Sequence, residues 1–332
     1  MNNSSKVYDP WKENKVLSGW LKNNLYDLFY SGYVYDFNKP YNNPLLNFFS
    51  SNYGIDKEYI YIGAGASDCI KSFLSINDWN NVYILEKEFG LYNYCCDSLK
   101  IRKKLVDTID FNELYDYFCK INTQEDDLLC ISTPMWFTGE QLSKKQILLL
   151  GEVFCGKILI DETYIKYGNM DFSMIGDVEK NERIVVINSI SKSYRLHGLR
   201  VGTLCTSMKL PQHFRISFLS GNSISSVSVN FLLSAFYDKS ICEVFEKHII
   251  WTKCLRELIY KKLSNYKDIE IKKSQANFGV LFMEDKYDVK DLLNIEEVRI
   301  GKYKQKIVIK YPIWTIEEAN ILLTTIQNIL SK

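Results

Sequence analysis

The chain has 332 residues, which suits one large or two modest domains, and its 46% hydrophobic and 24% charged content is that of an ordinary globular protein with ample core material. A formal net charge of +1 leaves no basic excess of the kind that binds nucleic acid or an anionic membrane. The nine cysteines are scattered without a C-x-x-C pair and there are only three histidines, so no metal site is expected, and reduced thiols point to the cytoplasm.

In chain order, residues 1–45 are aromatic and polar with weak periodicity and read as an arm. Met1 to Lys15 lacks the apolar stretch of a secretory signal, and no run of about 18 apolar residues follows, so no membrane span is expected. From about residue 55, short apolar runs alternate with amphipathic stretches. Tyr59–Ile62 reads as a strand, followed by a Gly-rich turn and a helix over Ser67–Leu74. Val82–Leu85, Leu128–Ser132, Lys157–Asp161 and Ile184–Asn188 read as further strands. This pattern predicts an α/β fold with a mostly parallel sheet and helices on both faces. Residues 207–240 read as a long helical region, and Cys242–Tyr266 as a helix linking two domains. Beyond it, Ile269–Lys272, Gly279–Met283 and Lys306–Lys310 read as strands, and Val289–Leu293 and Ile316–Leu330 as helices. The expected division is an arm over 1–45, a large domain over 46–240 and a small α/β domain over 241–332.

Three segments carry candidate chemistry. Gly63-Ala64-Gly65-Ala66-Ser67-Asp68 follows a strand and opens a helix; its small residues let backbone N–H groups approach an anion, or they serve a steric turn. Asp161 ends a buried strand, where α/β enzymes place ligands, or it caps a turn. The third segment runs from Ser189 to Gly202. Its Lys192 follows a strand and a serine pair, which can desolvate the amine and favour the neutral form that imine chemistry needs. Arg200 adds a planar fork suited to phosphate. The alternative is a solvated Ser/Lys loop.

The run S-x-S-K-x-x-x-x-x-G-x-R-x-G over Ser189–Gly202 resembles the lysine motif of fold-type I pyridoxal-5′-phosphate (PLP) enzymes, the class I/II aminotransferase group. Asp161-Glu162-Thr163-Tyr164, 31 residues earlier, and the Gly/Ala turn are similar to the same family. Length and segment order look most like histidinol-phosphate aminotransferase and threonine-phosphate decarboxylase. The resemblance implies a PLP Schiff base on Lys192, Asp161 on the pyridine nitrogen and Tyr164 on the phenolic oxygen. It also implies a phosphate cup from Ala66, Ser67, Ser189, Ser191 and Arg200. Phe89 falls where the family stacks a ring on the cofactor, or is a plain core aromatic. Tyr35 falls where the family sends a tyrosine to the neighbouring subunit's phosphate, which implies a homodimer. Asn277 matches a small-domain position that faces the substrate.

Two positions depart from the family. In Thr133-Pro134-Met135-Trp136-Phe137-Thr138-Gly139, Trp136 stands where an Asn bonds the phenolic oxygen; an indole N–H only donates and is bulkier. Lys310 stands where an Arg grips the substrate carboxylate, and a lysine lacks that planar fork. Residues 299–306 read as a short loop, whose Arg299 and Lys302 form a solvated basic turn or a substitute anion grip. The resemblance implies an aminotransferase acting on an amino acid and a small oxo acceptor. A PLP decarboxylase or other bond-breaking PLP enzyme is the alternative, and a non-catalytic PLP-fold binding module is a third.

Overall fold

The computed structural model describes residues 15–30 (backbone only over 25–30), 44–76, 79–211, 224–313 and 315–331. Seven strands form the larger sheet: β1 (Ile60–Gly63), β2 (Val82–Leu85), β3 (Lys103–Val106), β4 (Leu128–Ser132), β5 (Lys157–Asp161), β6 (Ile184–Ser189) and β7 (Gly202–Cys205). Their order is β1-β7-β6-β5-β4-β2-β3. β7 runs antiparallel to both its neighbours, and the pairings across β6, β5, β4, β2 and β3 are parallel. Most of these strands are buried along their whole length, as expected of a sheet covered on both faces.

Two of the strands escaped the sequence pattern. β3 reads Lys-Lys-Leu-Val and is only partly buried, as suits an edge strand. β7 is Gly-Thr-Leu-Cys, whose glycine and threonine break the apolar run that marks the other buried strands.

Helices α1 (Lys15–Tyr30), α2 (Pro44–Tyr53), α3 (Ala66–Leu74), α4 (Leu91–Leu99), α5 (Phe111–Cys119), α6 (Lys144–Val153), α7 (Ile190–Ser193) and α8 (Ser226–Tyr237) accompany this sheet. The apolar face of α3 buries Cys69, Ile70, Phe73 and Leu74 in the core. The helical region expected over 207–240 begins later among the described residues: 207–211 carry no helix, and α8 starts at Ser226, capped by the Ser225 hydroxyl.

A second, antiparallel sheet contains β8 (Ile269–Lys272), β9 (Phe278–Glu284), β10 (Arg299–Tyr303) and β11 (Lys306–Pro312), in the order β10-β11-β9-β8. α10 (Ile316–Leu330) packs on it, started by a reciprocal cap between Thr315 and Glu318. The expected loop over 299–306 is therefore strand β10 and a two-residue hairpin turn, with Lys304 at φ +52° as such turns require. The expected helix over 289–293 is a short 3-10 segment, Lys290–Asn294.

The 25-residue helix α9 (Lys239–Leu263) joins the two parts. Ile241 and Phe245 at its start enter the core of the larger sheet, while Leu255, Ile259 and Leu263 enter the core of the smaller one. Its buried Arg256 donates to the carbonyls of Tyr167 at 3.1 Å and Ala276 at 2.9 Å, one on each side. A third apolar cluster, with Tyr164, Ala276, Phe278, Val280 and Val308, fills the space between the sheets, and Trp136 and Phe137 pack against it. The candidate residues converge at this junction. No described helix is long and apolar enough to cross a membrane.

Candidate active site

Strand register sets the floor of the site. Gly63 pairs with Gly202 and Gly202 with Ser189, so three adjacent strands end level with one another. Next to them, Ser132 pairs with Asp161 across β4 and β5. A cavity of about 310 Å³ opens here, lined by the expected Ala66, Ser67, Phe89, Trp136, Asp161, Tyr164, Ser189, Ser191, Lys192 and Arg200. Asn277 and Lys310 line an adjoining space of about 150 Å³ that shares Trp136, Tyr164, Lys192 and Arg299 with it. Tyr35 lies outside the described residues. A separate cavity of about 240 Å³ between α2, α7 and α8 lacks Asp161, Lys192 and Arg200.

One end of the main cavity is built for an anion. Gly65 caps α3 at φ +83° without a side chain, so the first N–H groups of the helix stand at the cavity lined by Ala66 and Ser67. A Cβ on Gly65 would lie 2.7 Å from Arg200 Nη2, and one on Gly202 would lie 2.6 Å from the carbonyl carbon of Gly65. Arg200 itself sits at φ +50°, a left-handed conformation unusual for a non-glycine residue, and donates to the Ala64 carbonyl at 3.2 Å. Ser189 is occupied within the fold: its hydroxyl donates to Val201 O and accepts the Ser191 N–H. The buried Ser191 hydroxyl has no protein partner. An orphaned buried hydroxyl beside a guanidinium and a helix start is a donor set without its acceptor, and a phosphate fits it.

Asp161 lies at the other end, buried, accepting the Thr163 N–H at 2.9 Å. Burial pushes its carboxyl up, while hydrogen bonds from Thr163 and Tyr92 hold it back. Strand alternation turns its neighbour Glu162 to the opposite face, where it accepts from Ser173 Oγ and Met174 N at 2.6 Å each. A buried carboxylate facing a cavity calls for a cationic or N–H partner, as a protonated ring nitrogen would be. The donor set and the carboxylate thus fit the phosphate and the ring of PLP. Lys192, on α7 between them, has its amine pushed below the ordinary lysine value by burial, with Arg299 and Arg200 adding to the shift and Glu297 opposing it. Burial, reinforced by the charge of Asp161, raises the Tyr164 hydroxyl.

The wall toward the small sheet is aromatic. Trp136 lies 4.9 Å from Phe89 and 6.1 Å from Tyr164 between ring centroids, and Tyr164 meets Phe278 edge-on at 5.3 Å. Lys310 is caught in this wall. Its Nζ donates to the Trp136 carbonyl at 2.5 Å and lies 3.5 Å and 3.7 Å from the ring centroids of Trp136 and Phe278. Burial pushes its ammonium down to about 7; Glu88 opposes that shift, and Arg299 and Lys192 add to it. The two ring faces favour the charged form.

Several cavity residues went unmarked in the sequence. Glu88, Ser132, Thr163 and His197 line the main cavity. Ser132 ends a strand, so a search of strand ends would have found it, and Glu88, in the turn after β2, immediately precedes the candidate Phe89. Arg299 is exposed, as a solvated residue would be, but it lies on β10 rather than in a turn, is the register partner of Lys310, and lines both cavities. Lys302 instead pairs with Asp285 at 2.6 Å on the surface and lines neither cavity.

A model of the family described as aminotransferase class I and II matches residues 35–309. Over 272 residues the chain is 26% identical to the adenosylcobalamin biosynthesis bifunctional protein CobDQ of Leptospira interrogans, covering 79% of this chain but only 29% of that protein. It is 25% identical over 292 residues to the histidinol-phosphate aminotransferase of Clostridium kluyveri, covering 85% of this chain and 81% of that one. Among solved structures, a decarboxylase from Sulfurospirillum multivorans has a TM-score of 0.78 at 17% identity, over 98% of this chain and 86% of that chain. A likeness at that identity speaks to the fold alone.

Proposed function

This chain belongs to the class I and II aminotransferases and is a PLP-dependent transferase, and we propose that the cavity around Lys192 holds the cofactor and transfers an amino group from an amino acid donor to a small oxo acceptor. The observation that carries this reading is the convergence of Lys192, Asp161 and the anion cup, with its orphaned Ser191 hydroxyl, on one cavity. When bound, PLP supplies an electron sink for the charge left on the donor's α-carbon.

The residues divide the work. Lys192 Nζ would hold the cofactor covalently and, once the donor's own amine displaces it, would be free to take the α-proton; its depressed basicity keeps more of the amine neutral. Asp161 holds a proton on the ring nitrogen, a charge its low-dielectric setting strengthens. Tyr164 donates to the phenolic oxygen. Phe89 would pack on the ring face, and Ala66, Ser67, Ser191 and Arg200 would bind the phosphate, while Ser189, whose hydroxyl is spent on Val201 and Ser191, would shape the cup from behind. Trp136 replaces a polar contact with an aromatic wall that excludes water. Arg299 binds the substrate's anionic group, because Lys310, which stands at the family's carboxylate-gripping position, is already engaged by Trp136 and Phe278. Asn277 lines the substrate side.

The reading extends to a homodimer, with Tyr35 reaching the neighbouring copy, to a cytoplasmic setting, and to large and small domains over 46–240 and 241–332. The separate cores of the two sheets support two units, with the start of α9, through Ile241 and Phe245, packed in the core of the larger one.

Incubation of the PLP-loaded protein with a panel of amino acids tests the reaction. Conversion of the cofactor to its amine form with release of an oxo acid supports transamination. Release of CO2 with the cofactor unchanged would establish a decarboxylase instead. A protein that never develops the visible cofactor band refutes both.

A further inference from the structure

Glu88 stands in the turn between β2 and α4, is 6% exposed and lines the main cavity, yet none of the roles above uses it. Its Oε1 accepts the Phe89 N–H at 2.9 Å and the Ser132 hydroxyl at 2.7 Å, and its Oε2 accepts the Ser132 N–H at 3.0 Å. The Ser132 oxygen in turn accepts the Trp136 N–H at 2.7 Å. One carboxylate therefore ties down the backbone of Phe89 directly and that of Trp136 through a single serine, and the two rings meet at 4.9 Å. A carboxylate is costly to bury, and an apolar residue could fill the same space; what it adds is three directed acceptor contacts.

We propose that Glu88 is a positioning residue that holds Phe89 and Trp136 as one aromatic wall along the cavity, and that the wall loosens when Glu88 takes up a proton. The inference rests on the reading that this cavity holds the cofactor. Charged and titratable groups face Glu88 from the elements packed around it. Asp161 at the end of β5 raises it, and Lys310 on β11, itself pushed down to about 7, is the titrating amine whose shift Glu88 opposes. Tyr92 on α4 and Cys130 on β4 feel its charge and are themselves pushed up by burial, so they stay neutral. Burial lifts Glu88 to about 7, with the bonds from Ser132 and Phe89 opposing the rise. Above that pH the carboxylate accepts from all three donors. Below it the acid carries a proton of its own and loses acceptor capacity, so one donor is left without its partner. The wall is thus complete on the alkaline side of neutrality and weakened on the acid side.

Lys310 also titrates at about 7 against the Trp136 ring, so the test is run in a Lys310→Met background, which leaves Glu88 as the group near 7 beside the indole. Near-ultraviolet circular dichroism of that cofactor-loaded full chain, followed from about pH 5 to about pH 9 across the raised carboxyl range, then reads the indole directly. The tryptophan signal is expected to titrate with a midpoint of about 7. Trp136→Phe should remove the titrating part. Glu88→Gln should leave a signal independent of pH. Ser132→Ala, which keeps the carboxylate but cuts its link to Trp136, should reduce the titrating amplitude by about half or more. Cofactor dissociation constants add a second readout: Glu88→Gln should bind about fivefold more weakly than wild type on the alkaline side, and no differently on the acid side. The same midpoint surviving in Glu88→Gln, or an unchanged amplitude in either Trp136→Phe or Ser132→Ala, overturns the inference. The indole signal can also be read on a chain that takes up no cofactor, so failure of cofactor binding and failure of this proposal show up separately.

Discussion

At the ends of β1, β6 and β7 the cavity is shaped by backbone: a glycine-capped helix start, level strand ends, and an arginine in a left-handed turn packed against Gly65. Along the β10–β11 hairpin it is shaped by side chains from distant parts of the chain, with Lys310 bonded to Trp136 across 174 residues of sequence. The first region depends on steric limits that only certain residues meet. The second depends on which long side chains happen to meet when two sheets pack. A family can therefore keep the first nearly unchanged while the second varies with the substrate, and this chain retains the motif residues of the first and departs from the family in the second.

Substitutions can break or sharpen that contrast. Lys192→Ala carries the largest expected effect: loss of the visible cofactor band and a fall in turnover of about a thousandfold or more, the scale of a lost proton-transferring group. Asp161→Asn should leave the cofactor bound but lower turnover by about a hundredfold, since an electrostatic contact is lost in a water-poor site. On the hairpin side, Arg299→Ala should raise KM for an anionic substrate by about tenfold with a smaller change in kcat, as expected for one charge-assisted hydrogen bond. Lys310→Met, which keeps the apolar stem between the rings, should change KM less than Arg299→Ala. The reverse order would return the anion grip to Lys310. Arg299→Ala also removes a charge that lowers the Lys192 amine, so cofactor uptake by the stripped chain, which rises with pH as that amine becomes neutral, should move to higher pH. An unshifted uptake profile would separate the two residues.

The backbone side offers smaller tests. Gly202→Ala brings a Cβ within 2.7 Å of Ala66 N, and overpacking there should weaken cofactor binding by about tenfold. Ser191→Ala removes one donor from the cup and should weaken binding by about fivefold, read by titration of the visible band.

The legibility of these features in the sequence follows the same line. Five buried strands of the large sheet stood out as apolar runs, while the edge strand β3, with its lysines, and β7, with its glycine and threonine, did not. Lys192 and Asp161 stood out because Asp161 ends a buried strand and Lys192 comes three residues after one, and the cup because its small residues are contiguous. Arg299 looked like a surface residue because its neighbours Glu296, Glu297 and Lys302 are polar; only the register of β10 against β11 brings it beside Lys310 at the cavity.

The order of apolar strands therefore determined the fold class, and the glycines of the cup and the lysine motif singled out residues that line one cavity, from local sequence, because steric and periodic constraints act between near neighbours. Tertiary structure alone decided that Lys310 lies against two aromatic rings, that Arg299 lines the cavity beside it, and that Glu88 is buried against Ser132. Those outcomes depend on burial, on charges acting through a low dielectric, and on contacts between residues far apart in the chain, none of which is encoded in any short run of residues.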